Sequence, residues 1–153
     1  MSKQNKAISD IIEFIENLTF SKQTKKKITA NIGLFIKSKE DSIDFDLADI
    51  KTILSDKDKF YFGQGKGKPK EALYLAITDA KLSLCDLEQC TGFLVKFILH
   101  PDANLSKVSE AIEIIDENAH EDADIIFGTT SNESMGIDDV EVVLLVSKDI
   151  FER

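Results

Sequence analysis

Apolar residues in the first third of the chain recur at intervals of three and four, which is the spacing of one helix face. In residues 7–19 the repeating positions are Ile8, Ile11, Ile12, Ile15 and Leu18. Ser21 suits the N-cap of a second helix, in which the apolar positions are Ile28, Ile32, Phe35 and Ile36. After a polar loop at 37–42, an aspartate-rich start leads into a short third helix that carries Leu47, Ile50, Ile53 and Leu54.

Longer apolar runs dominate the rest of the chain and predict strands. They are KFYFG at 59–63, GFLVKFIL at 92–99, DIIFGTT at 124–130 and VEVVLLVS at 140–147. We expect QGKGK (64–68) to be a loop and Pro69 to start a helix, whose buried face comprises Ala72, Leu73, Leu75, Ala76 and Ala80. A further helix, capped by Ser106, follows the second strand. The pattern predicts an α/β domain in which helices lie on a small sheet.

Charge is unevenly distributed along the 153 residues. The net charge is −9, with a net +4 in residues 1–70 and −13 in residues 71–153. A nucleic-acid partner is not expected, because phosphate binding requires clustered cations. The run Lys25 to Lys27 is interpreted as a solvated helix face. The sequence contains neither an apolar run long enough to span a membrane nor a secretory signal. We therefore expect a cytoplasmic protein that contacts no membrane.

Histidine, cysteine and glycine motifs do not point to catalysis. His100 and His120 are far apart in sequence, and the acidic segment around His120 is interpreted as a solvated loop rather than a metal site. Cys85 and Cys90 lack zinc-ligand spacing and are expected to be small, partly buried side chains. The QGKGK segment lacks the arrangement that binds phosphates. We expect no metal and no cofactor.

Three aspartates precede or enter the third helix. Asp44, Asp46 and Asp49 occur at steps of two and three where a loop leads into the helix. Two nearby carboxylates can polarise a water molecule or hold a cation. Aspartate is also favoured at N-caps and in first helical turns for structural reasons. The spacing alone favours this structural interpretation.

The run DFDLADIKTIL, from Asp44 to Leu54, resembles the catalytic loop and following helix of the FtsZ family, the bacterial tubulin-like division GTPases. That loop has the pattern N-x-D-x-x-D, so Asp46 and Asp49 fall on its aspartates and Asp44 replaces its asparagine. The segments KFYFGQG, EALYLAI, TGFLVKFIL, HPDANLSKVSEAIEII, AHEDADIIFG and VEVVLLVS resemble the family's C-terminal domain in the same order. The resemblance covers about residues 40–151.

The resemblance implies a two-layer sandwich, in which helices pack on a four-stranded mixed sheet. We divide the chain into an N-terminal helical extension at 1–39 and an FtsZ C-terminal-like domain at 40–153. One of the two N-terminal helices would replace the family's core helix, and the sequence does not distinguish between them. No GGGTGTG-type phosphate loop precedes Asp44, so we expect no GTPase activity from this chain on its own.

Two functions follow from the resemblance. In the family, GTP bound to one subunit is hydrolysed when the aspartate loop of the next subunit docks on it. The chain would then dock on FtsZ through Asp44, Asp46 and Asp49 and cap or modulate the filament. Asp46 and Asp49 are the candidates for completing hydrolysis in trans. Alternatively, the chain is a non-enzymatic interaction or scaffold module, which could form a homo-oligomer and has kept the fold without the polymer role.

Overall fold

The computed structural model describes residues 3–18, 21–36, 47–55, 57 and 59–148. Five α-helices occur in these ranges: α1 (Lys3–Glu16), α2 (Lys22–Ile36), α3 (Leu47–Leu54), α4 (Pro69–Asp79) and α5 (Leu105–Asn118). The strands are β1 (Lys59–Gly67), β2 (Gly92–Leu99), β3 (Asp124–Ser131) and β4 (Val140–Lys148). A short 3-10 helix, Leu84–Gln89, precedes β2. Three helices thus come before the first strand.

The four strands form one mixed sheet in the order β1-β4-β2-β3. The central strand β4 is antiparallel to both β1 and β2, whereas β2 and β3 are parallel and are connected by α5. The predicted fold class, a four-stranded mixed sheet with helices packed on it, is confirmed. The proposed boundary between residues 39 and 40 lies outside the described residues.

Alternation along the strands gives the sheet two apolar faces. The first face packs against α4 and α5, and its core includes Phe93, Val95, Phe97, Val142, Leu144 and Val146. On the second face, residues of β2 and β4 pack with residues of α1, α2 and α3. This smaller cluster consists of Ile11, Ile15, Ile28, Ile50, Ile53, Leu54, Leu94, Val143 and Leu145. The predicted N-terminal helices therefore contribute to the core.

The segment QGKGK is not a loop as predicted, because β1 continues through it to Gly67. The reason is a close approach between β1 and α4. A Cβ atom at Gly63 would clash with the backbone carbonyl oxygen of Ala76, and one at Gly65 with that of Ala72. These glycines therefore let the helix lie directly on the strand.

Three further predictions were wrong in detail. Asn104, not Ser106, caps α5, because its side-chain oxygen accepts from the Ser106 backbone N–H at 3.0 Å. Leu75 was assigned to the buried face of α4 but is 48% exposed. Cys85 is exposed, and only Cys90 is buried. Helices α4 and α5 themselves are present as predicted.

Candidate functional site

Asp49 lies in the first turn of α3, as the sequence predicted. The next residue, Ile50, and then Ile53 and Leu54 are fully buried against the second face of the sheet. Asp49 itself is half-buried at the border of this apolar side. A carboxylate here is favourable because the first turn of a helix carries partial positive charge. The position therefore fits the structural interpretation of this aspartate.

The other two predicted site residues, Asp44 and Asp46, lie outside the described residues. The structure describes the helix that follows them. Ala48, Lys51 and Thr52 on the outward side of α3 are exposed, and the Thr52 hydroxyl donates to the Ala48 carbonyl at 2.9 Å.

Helix α1 lies beside α3 and anchors its inner side. The Lys51 ammonium is 5.6 Å from the centre of the Phe14 ring, close enough for a cation–π contact. Ile11 and Ile15 of α1 share the second-face core with Ile50 of α3. Helix α1 thus holds α3 through its buried side and through Lys51, and leaves Ala48 and Thr52 exposed.

The two histidines occupy equivalent local turns at the two ends of α5. His100 Nδ1 accepts the backbone N–H of Asp102 at 3.0 Å, and His120 Nδ1 accepts that of Asp122 at 3.0 Å. Each ring thus stabilises a turn. Within the ranges that the structure describes, no group of three His, Cys, Asp or Glu side chains is placed to hold a metal. In the same ranges, no helix has the length and hydrophobicity needed to cross a bilayer.

Sequence reasoning missed a groove between the N-terminal ends of α4 and α5 and the β3–β4 connection. Its volume is about 460 Å³, and Val108 and Val140 are among its apolar lining residues. Three lysines surround it, but three carboxylates balance their charge. Lys68 is 3.8 Å from Asp139, Lys70 and Lys107 are each 3.9 Å from Glu110, and Asp138 also lines the groove. The groove therefore has no excess of positive charge that would select an anion.

Comparisons with known proteins identify the family. The model of the FtsZ family C-terminal domain matches residues 60–148. FtsZ of Helicobacter pylori, a cell division protein, is 30% identical over 114 residues, which cover 72% of this chain and 30% of the relative. FtsZ of Neisseria meningitidis is 24% identical over 146 residues, covering 92% and 37% of the two chains. The chain thus spans about a third of the length of these relatives.

Solved structures show the same fold. An empty FtsZ dimer from M. jannaschii aligns with a TM-score of 0.62 and 23% identity, covering 92% of this chain and 43% of that one. The W319Y mutant of the same protein aligns with a TM-score of 0.63 and 21% identity, covering 89% and 44%. The fold and the sequence match lead to the same family. The chain belongs to the FtsZ family, and its residues 60–148 form the C-terminal domain of that family.

Proposed function

We propose that this chain docks on FtsZ through the N-terminal end of α3 and limits filament assembly, with no GTPase activity of its own. The observation that supports this is the geometry of α3, whose inner side is held by the sheet and α1 while Ala48, Lys51 and Thr52 remain exposed. A helix anchored in this way presents Asp49 on a rigid support. Rigid presentation favours docking because little conformational entropy is lost on binding.

The charges of the three aspartates favour inhibition over catalysis in trans. Asp44 stands where the family's loop has asparagine, so it adds a negative charge toward a bound triphosphate. At a separation near 4 Å and high dielectric, such a pair costs on the order of 1 kcal/mol. We therefore expect docking to slow phosphate release rather than complete a hydrolysis site.

The test mixes the purified chain with FtsZ and GTP and follows light scattering and phosphate release. Excess chain should lower both signals. Asp49→Asn should weaken the inhibition roughly tenfold or more if this carboxylate is an interface hot spot. The matched control is Asp116→Asn, which makes the same charge change at an exposed position on α5. Unchanged assembly and turnover at saturating chain would exclude the proposal.

A second variant separates inhibition from catalysis. Asp44→Asn restores the family's residue and removes one negative charge. If Asp46 and Asp49 can complete hydrolysis in trans, this variant should raise phosphate release above that of FtsZ alone. If neither affinity nor turnover changes, the argument based on the charge of Asp44 is wrong.

The alternative is a non-enzymatic interaction or scaffold module. It is favoured by the second face of the sheet, which this chain covers with its own helices. A domain whose two apolar faces are both covered needs no GTP-binding domain for stability. This alternative predicts a stable folded protein that FtsZ does not retain in a pull-down, with or without GTP.

A further inference from the structure

The two edge strands of the sheet differ in how their backbone groups are protected. At the β1 edge, the outward N–H of Gln64 donates to the Asp79 carboxylate at 2.8 Å. Lys59 and Lys66 of the same strand are exposed. A side-chain acceptor and lysines on an edge strand are devices that hinder pairing with another strand.

Within the described ranges of the chain, the β3 edge has no such protection. Asp124 N–H donates to the Thr91 carbonyl and Asn132 N–H to the Leu99 carbonyl, at 2.9 and 2.8 Å. Even-numbered residues of β3 therefore bond to β2, and the N–H and C=O groups of Ile125, Phe127 and Thr129 point away from the sheet. Among the residues that the structure describes, none provides a hydrogen-bond partner for these outward groups.

The side chains of β3 also favour pairing. Ile125, Ile126 and Phe127 are all half-buried at the edge. The strand contains neither lysine nor proline, and its one charged residue, Asp124, is at its first position. Three adjacent apolar side chains beside unpaired backbone groups are the features of a strand that accepts a partner.

We propose that β3 pairs antiparallel with β3 of a second copy of this chain, so that the two sheets join into one of eight strands. The choice of a second copy rests on self-complementarity. With the two-fold axis at Ile126, Ile125 of each copy lies opposite Phe127 of the other, and the outward N–H of Thr129 faces the carbonyl of Ala123, just before β3 of the other copy. Asp124 then lies opposite Gly128, so the two carboxylates are at opposite ends of the paired strands. This interface uses the backbone of β3 and does not depend on the docking proposed for α3.

The net charge of the chain sets the expected salt dependence. Two copies at −9 each repel one another, and salt screens this repulsion. Because the proposed contact is made by backbone hydrogen bonds and apolar side chains, the dimer should become tighter as ionic strength rises. An interface formed by ion pairs would weaken instead.

Proline substitution at matched edge positions tests the interface. Thr129→Pro removes an outward N–H of β3, and Lys66→Pro removes an outward N–H of β1, while neither takes away a bond within the sheet. Each position follows a glycine, Gly128 or Gly65, so the proline ring meets no preceding Cβ.

Sedimentation velocity of the full chain, from micromolar to millimolar concentration, gives the result. We expect dimers for the wild type and Lys66→Pro, and association weakened roughly tenfold or more for Thr129→Pro. Circular dichroism verifies that both variants are folded. A wild type that is monomeric throughout overturns the proposal. The proposal is equally wrong if the β3 edge pairs with a strand of another protein and not with a second copy. A folded Thr129→Pro that dimerises like the wild type also overturns it.

Cysteine cross-linking tests the register. In a Cys85→Ser background, Ile126→Cys places two thiols on the two-fold axis at a non-hydrogen-bonded pair, where Cα atoms are about 4.5 Å apart. This separation permits a disulfide, so mild oxidation should give a covalent dimer. The matched control is Ile137→Cys in the same background, at an exposed position in the β3–β4 connection. Equal cross-linking of the two variants would contradict the register.

Discussion

The first face of the sheet is covered by α4 and α5, which directly follow strands β1 and β2 in the chain, whereas the second face is covered by three helices from the N-terminal third. Residues 60–148, which match the family, supply all of the first-face core. Most of the second-face core comes from outside that match, namely Ile11, Ile15, Ile28, Ile50, Ile53 and Leu54. Residues 60–148 therefore complete the core on one face only, and the leading helices complete it on the other.

The largest expected effect is on the first face, at the contact between β1 and α4. Gly63→Val should lower the free energy of unfolding by more than about 3 kcal/mol, because the added side chain collides with the Ala76 backbone and the helix must move. The measurement is urea denaturation. Gly136→Ala is the control: its nearest heavy atom is a carboxylate oxygen of Asp139 at 2.8 Å, which can rotate away. Equal losses for the two variants would show that α4 does not pack rigidly on β1.

A smaller loss is expected on the second face. Ile15→Ala removes a fully buried side chain between α1 and the sheet, and such truncations cost about 2–5 kcal/mol. Ile137→Ala, at a position 53% exposed, should change stability by less than about 0.5 kcal/mol. If Ile15→Ala has as little effect as the control, the leading helices do not complete the core. The two faces then differ in their contribution to stability, as well as in the part of the chain that covers them.

The strands were predictable because each is a single apolar run that the sheet buries, as in GFLVKFIL of β2. The extension of β1 was not, because a glycine-rich segment forms a strand only when a helix comes as close as α4 does. The burial of Lys96, which is 2% exposed in β2, also gave no signal in the sequence. For the candidate site, the place of Asp49 in a first turn followed from capping chemistry. The free edge of β3 could not be predicted, because the strand order is a property of the whole topology.

The smallest expected effect concerns the two cysteines, of which one is buried in the first-face core and the other is exposed. Cys90 belongs to the first-face core, and burial raises its pKa to about 11. Because the unfolded chain loses this proton near pH 9 and the folded chain keeps it, the free energy of unfolding should fall between pH 9 and 11, by less than about 3 kcal/mol. Below pH 9 both states are protonated, so Cys90 contributes nothing to the pH dependence of the free energy of unfolding.

Cys90→Ala should remove this part of the pH dependence, whereas Cys85→Ala, at an exposed position, should retain it. Parallel pH profiles for the wild type and Cys90→Ala would mean that solvent reaches Cys90, and that the first face is less well closed at the 3-10 helix than around Phe93 and Phe97.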